Sequence, residues 1–344
     1  MRIALIGAGR IGRLHARILA ATPGVDELIV ADLATDLAAT VAAETAAQPM
    51  ASGSHRAAVS AASSIDAAMD AAEAIVIAAA TDAHGTLIRA AVGRGKPTFC
   101  EKPLAADLAE TLEIAALVEA SGVPFQLGFQ RRFDPAYREA RRLVESGELG
   151  TLYTIRLAGH DPAPPHEAYI PVSGGLFRDF SIHDFDVLRW LTGTEVEEVY
   201  AVGSVRGFPV FAKYNDVDTA VATLRCVDGT LAVLTVARHD PLGYDIRTEL
   251  FGSKDSVSVG LGPQTPMRSL EPGVPPPAGP AWPNFLVRFE SAYVAEFAEF
   301  VRVARRETTT PCTARDGVAA LLIAEAATRS RLEGRPVRLS EFAS

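Results

Sequence analysis

From Met1 to about Gly128 short apolar runs alternate with longer amphipathic stretches. The runs RIALIG, ELIVAD, AIVIAAA, PTFCE and PFQLGF have the length and composition of strands, and alanine-rich segments at about 11–21, 35–47, 84–93 and 107–121 carry helical spacing between them. The last segment stops at Gly122, a residue suited to a left-handed helix cap. Strand and helix in strict alternation predict a parallel sheet, and right-handed crossovers make it doubly wound.

Beyond Phe129 the rhythm changes. A helix near 135–146 precedes the alternating segments TLYTIRLAG, TAVATLRCV, TLAVLTVAR and YDIRTELFG, several joined by short turns such as VDGT. Hairpin connections predict a mostly antiparallel sheet in an α+β domain. The Pro- and Gly-rich stretch 262–283 reads as a long surface loop, and helices at about 284–306 and 314–333 follow it. The expected division is therefore an α/β Rossmann domain over 1–128 and an α+β domain over 129–344. A chain of 344 residues exceeds what one hydrophobic core usually organises, which agrees with two domains.

Composition narrows the function classes. With 48% hydrophobic and 22% charged residues the chain is an ordinary globular one. Its net charge of −9 and lack of a basic run exclude a phosphate-backbone partner, so no nucleic acid is expected. No stretch has the length of a membrane span, the first apolar run is too short for a secretory core, and a cytoplasmic location is expected. Cys100, Cys226 and Cys312 lie far apart without a CxxC, so they are expected to be reduced and structural.

The first candidate site is IALIGAGRIGRLHARIL, where Gly7, Gly9 and Gly12 form GxGxxG between a strand and a helix. In that context the first glycine makes the tight turn, the second admits a pyrophosphate and the third lets helix and strand pack closely. Gly7, Gly9, Arg10, Ile11 and Gly12 are thus expected to face a dinucleotide. Asp32 ends the second strand, about 20 residues on, where a carboxylate accepts ribose hydroxyls and repels a 2′-phosphate. NAD is the expected cofactor, although Asp32 could instead only cap the next helix.

The second is FCEKPLA, which sets Glu101 and Lys102 at the carboxyl end of a strand, where open α/β sheets collect ligands. A lysine ammonium there can stabilise an alkoxide, or it can be an ordinary surface charge. The third is DFSIHDFDVLRWL. If it is helical, Asp179 and His183 share one face while Phe180, Val187 and Leu191 fall on another. An imidazole tuned by a carboxylate can take a hydroxyl proton, and the same spacing also suits a plain solvated pair. His160 and His166 flank Asp161 in a Pro-rich loop, but the spacing supplies no recognisable ligand set, so no metal is expected.

Taken together, GAGRIG, CEKP, GFQRRFDP, DPAPP, SGGLFRDFSIHDFD, GYDIRTELFGSK and EGRPVRL resemble the Gfo/Idh/MocA oxidoreductase family over nearly the whole chain. The resemblance implies a Rossmann domain, a second domain with a large open sheet that mediates dimer or tetramer formation, and a catalytic lysine, aspartate and histidine at Lys102, Asp179 and His183. It implies a small polyol or sugar as partner, and DPAPP with SGGLFRDFSIHDFD is closer to the inositol-oxidising branch: His183 takes the hydroxyl proton, Asp179 assists it and Lys102 stabilises the alkoxide as myo-inositol becomes 2-keto-myo-inositol. Arg131, Asp161 and Tyr244 match pocket positions alongside Lys102, Asp179 and His183. Thr81 and His84, with Glu101 and Lys102, match positions near the cofactor, although a helix-start role explains Thr81 and His84 equally well.

Departures gather around the pocket. Gln130 stands where GFNRRFD has Asn, GHDP replaces SRDP, and VARHDPL replaces an arginine-rich strand. They widen the substrate expectation to scyllo-inositol, another inositol isomer or an aldose. An NAD-dependent glycosidase and a non-catalytic NAD-binding sensor are the remaining alternatives.

Overall fold

The computed structural model describes residues 1–49 and 55–342. It divides into two compact units, Met1–Phe133 with Ser291–Val318, and Asp134–Glu290 with Ala319–Ser344. The first boundary lies a few residues beyond the expected 128, and Ser291–Val318 clusters with the first unit.

The first unit is a six-stranded parallel sheet in the order β3-β2-β1-β4-β5-β6. Its strands are β1 (Arg2–Ile6), β2 (Glu27–Ala31), β3 (Ala58–Ala61), β4 (Ala74–Ile77), β5 (Thr98–Glu101) and β6 (Phe125–Gly128). The connecting helices are α1 (Arg10–Ala21), α2 (Thr35–Ala47), α3 (Ile65–Ala71), α4 (Thr81–Gly93) and α5 (Leu108–Ser121). β1 and β4 are buried almost throughout, as strands covered on both faces must be. Asp107 caps the start of α5 by accepting from Glu110 N, and Gly122 ends it at φ 63°. Chain order reverses between β1 and β4, and the carboxyl ends there open the crevice that binds ligands in such sheets.

The second unit begins with α6 (Pro135–Glu145), capped by Asp134, whose carboxylate accepts from Ala136 N and Tyr137 N. Its seven-stranded sheet contains β7 (Leu152–His160), β8 (Val196–Ser204), β9 (Thr219–Cys226), β10 (Leu231–Ala237), β11 (Asp245–Gly252), β12 (Ser256–Val259) and β13 (Val337–Arg338) in the order β12-β11-β7-β10-β9-β8-β13. Only β7 and β10 pair in parallel; the other pairs are antiparallel. Helix α7 (Ile182–Thr192) packs on the inner face of this sheet. Gly159 permits the approach, since a Cβ there would lie 2.5 Å from the Phe180 ring. In β9 the inner positions Ala220, Ala222 and Leu224 are buried, whereas Val221, Thr223 and Arg225 face out.

After the loop come the short α8 (Phe285–Arg288), α9 (Glu290–Ala304) and α10 (Ala314–Glu333). The single helix expected at 284–306 is thus two. From Ser291 onward α9 belongs to the first unit, because its aromatic stripe completes that core: the Phe297 and Phe300 rings lie 4.9 and 5.7 Å from Phe99 of β5. From Ala319 onward α10 belongs to the second unit, where its Ser330 Oγ accepts from Ala201 N of β8 at 2.9 Å.

Candidate active site

In the first unit the glycine turn joins β1 to α1. Gly7 has φ 105°, and a Cβ on it would lie 2.6 Å from the backbone after β4. A Cβ on Gly12 would lie 2.0 Å from Gly7 O. Gly9 differs: its Cβ would meet no heavy atom within 4 Å, so packing within the protein does not demand glycine there. That open space lies at the α1 amino terminus, where Gly9 provides no side-chain cap, Gly9 and Arg10 are exposed and Ile11 is half-buried. Open backbone N–H groups at a helix start suit a pyrophosphate, so the turn fits a dinucleotide.

Asp32 follows β2 and closes the turn. Its two carboxylate oxygens accept from Ala8 N at 2.7 Å and Ala34 N at 2.9 Å. The half-buried carboxylate thereby braces the glycine turn and the turn that leads to α2, whose N-cap is Ala34.

Lys102 is half-buried immediately after β5. Glu101 points its carboxylate inward, with Oε1 2.6 Å from His15 Nε2 and Oε2 accepting from Lys102 N at 3.2 Å. His15 is fully buried against Phe297 and Phe99, which makes it a structural residue of the core. His84 is also buried, its Nδ1 2.7 Å from Pro103 O and its Nε2 3.1 Å from Ala79 O. Burial holds its pKa below the ordinary imidazole value despite these two carbonyls. His84 therefore fastens together the backbone segments that follow β4 and β5, and Thr81 starts α4 beside it, half-buried. Arg131 lies in a short 3₁₀ turn, Gln130–Phe133, and is only 2% exposed.

In the second unit sheet register builds the site. His160 of β7 aligns with Ala237 of β10 and with Asp245 of β11. Asp161, Arg238 and Tyr244, each one residue beyond that row, consequently share one end of the sheet. Tyr244 is buried, with N donating to Trp282 O and its ring edge-on to Phe289.

The segment expected to be regular helix opens with a π-helical turn, Phe177–Ser181, which leads into α7. Such widened turns are frequent at functional sites. Phe180, Val187 and Leu191 are buried as expected, whereas Asp179 and His183 are half-buried. Asp179 Oδ1 accepts from Tyr169 Oη at 2.9 Å, and Oδ2 lies 2.8 Å from a guanidinium nitrogen of Arg238. The other terminal nitrogen of Arg238 lies 3.5 Å from Asp161 Oδ2.

Neither Arg238 nor Tyr169 was a sequence candidate. A signal for Arg238 existed: Ala232, Leu234, Val236 and Arg238 follow period-two spacing on the buried face of β10 and its extension, and a cation there requires carboxylates. Tyr169, in a short 3₁₀ helix, Glu167–Val172, offers no such pattern.

His160 Nδ1 lies 3.5 Å from Asp245 Oδ2 and 3.8 Å from Asp240 Oδ2, and the three ligating atoms sit within 4.8 Å of one another. Arg247 is bonded to both Asp245 oxygens and already supplies positive charge. His166 is exposed in the preceding loop.

Family models match both parts of the chain: residues 1–129 match an oxidoreductase family with an NAD-binding Rossmann fold, and residues 137–258 match the GFO/IDH/MocA C-terminal domain. The chain is 38% identical to myo-inositol dehydrogenase Hyg17 of Streptomyces leeuwenhoekii over 97% of its length and 98% of the relative's. It is 34% identical to myo-inositol 2-dehydrogenase of Thermotoga maritima over 99% of both chains. The solved scyllo-inositol dehydrogenase of Lactobacillus casei, with bound NAD(H) and scyllo-inositol, superposes with a TM-score of 0.86 at 28% identity over 99% of both chains. The chain therefore belongs to the Gfo/Idh/MocA family and is an oxidoreductase whose first domain binds NAD.

Proposed function

We propose that this enzyme oxidises a secondary hydroxyl of a cyclic polyol, with myo-inositol as the first choice of substrate and 2-keto-myo-inositol (scyllo-inosose) as product. The reading is carried by Asp179, whose two oxygens are engaged by Tyr169 and Arg238, standing four residues before the half-buried His183. A carboxylate held in place four residues from an imidazole can tune that imidazole as a general base near neutral pH. The names of the relatives, myo-inositol and scyllo-inositol dehydrogenases, support the same substrate class.

In this reading an imidazole nitrogen of His183 takes the proton of the reacting hydroxyl, and Asp179 stabilises the imidazolium that results. The Lys102 ammonium hydrogen-bonds the same oxygen and stabilises its developing negative charge. Bound NAD supplies the acceptor for the hydride that leaves the carbinol carbon. Asp161, Tyr244 and Arg131 orient the remaining hydroxyls. In the first unit, Gly7, Gly9, Arg10, Ile11 and Gly12 cradle the pyrophosphate and Asp32 takes the ribose hydroxyls; Thr81, His84 and Glu101 support the crevice.

We also infer a homo-oligomer, a dimer or tetramer, formed through the outward face of the seven-stranded sheet, where Tyr200, Val202, Val221 and Leu231 are exposed. No described helix is long and apolar enough to cross a membrane; the buried thiols of Cys100 and Cys226 suit a reducing, cytoplasmic compartment.

A panel of inositol isomers and common aldoses, assayed for nicotinamide reduction with NAD and with NADP, tests the proposal. Turnover of at least one inositol with NAD is expected. Turnover of aldoses alone would move the substrate class, and tightly held NAD without net reduction would favour a glycosidase.

A further inference from the structure

We infer that Arg238 is a positioning residue for this polyol site: its guanidinium holds Asp161 and Asp179 as a pair of acceptors for hydroxyls on different carbons of one ring. The inference rests on the reading of the site given above.

The geometry separates holding from binding. The Arg238 side chain is only 3% exposed and turns each terminal nitrogen towards a carboxylate, whereas the side chains of Asp161 and Asp179 are 21% and 14% exposed. Each carboxylate meets a different terminal nitrogen of one planar group, and this fork sets the distance between them. Both ends are anchored through the main chain. Asp161 N donates to Ala237 O at 3.0 Å, Arg238 N donates to Asp218 O at 2.8 Å, and Asp161 O accepts from Asp240 N. Tyr169 pins the second oxygen of Asp179, and the Phe180 ring lies 5.9 Å from the guanidinium carbon.

Charge points the same way. A buried cation requires compensation, and a buried pair of carboxylates requires a cation. Burial acts to lower the Arg238 pKa, but Asp179, Asp161 and Asp216 outweigh it and raise it. A lysine could balance the charge, but as a single point it cannot hold two carboxylates at a fixed separation.

The test compares Arg238→Lys, Arg238→Gln and Asp161→Asn with wild type, using the preferred inositol and its monodeoxy analogues. For wild type, loss of a hydroxyl facing the pair lowers kcat/KM by at least about tenfold. In Arg238→Lys that discrimination falls to about twofold, while NAD affinity and the circular dichroism spectrum stay unchanged. If Arg238→Gln does not fold, Arg238→Lys and Asp161→Asn decide the question. Variants that discriminate among the analogues as wild type does overturn the inference alone. A wild type that oxidises no polyol overturns the proposed function, and this inference with it.

Discussion

His15 Nε2 and Glu101 Oε1 lie 2.6 Å apart in the interior of the first unit, joining the helix after the glycine turn to the strand that leads into Lys102. The T-shaped stack of His15 on Phe297 holds the imidazole in place. His15→Phe keeps the aromatic packing but leaves the Glu101 carboxylate without its imidazole partner. A loss of roughly 1–3 kcal/mol in unfolding free energy is expected from denaturant titration. Unchanged stability would mean that the pair contributes nothing.

Glu296 of α9 is fully buried, and neither of its carboxyl oxygens has a hydrogen-bond partner. Burial, and then the charge of Glu101, push its pKa well above the ordinary carboxylate value. The folded protein therefore holds this proton more tightly than the unfolded chain does. The resulting stability is fully present below the unfolded pKa and is lost as pH rises towards the folded pKa, at up to about 1.4 kcal/mol per pH unit. Glu296→Gln removes this slope. Its Tm should exceed that of wild type by a margin that widens from about pH 5 to about pH 8. Parallel curves of Tm against pH would refute the assignment.

The glycines of the turn should separate folding from cofactor binding. Gly12→Ala drives a methyl group into Gly7 O and is expected to lower both Tm and NAD affinity. Gly9→Ala meets no protein atom, so Tm stays at the wild-type value. The methyl instead occupies the space offered to the pyrophosphate, and calorimetry should show NAD affinity falling at least about tenfold, or 1.4 kcal/mol. Wild-type affinity in Gly9→Ala would place the pyrophosphate elsewhere.

Much of this architecture was legible from periodicity. The runs that became β1, β2, β4, β5 and β6 are buried and apolar, and of the helices in this unit α3 and α5 carry capping side chains, Ser64 and Asp107. β3 was missed because Ala58–Ala61 is a largely exposed edge strand without a strong apolar pattern. The placement of α9 was missed for another reason: spacing reveals that a helix has an apolar face, but not which core that face enters. At the site, motif residues such as Gly7, Lys102, Asp179 and His183 stood out by type and context. Arg238 and Tyr169 did not, because their meaning depends on a pairing between segments far apart in the chain.

The central claim, that Lys102 and His183 perform the chemistry, is tested most directly by kcat for Lys102→Ala and His183→Ala with the preferred inositol, in protein that still binds NAD. Each variant should lose roughly 10²–10⁴ in kcat while keeping its fold. Wild-type kcat in either one would contradict the role assigned to that residue, and wild-type kcat in both would remove the proposed mechanism.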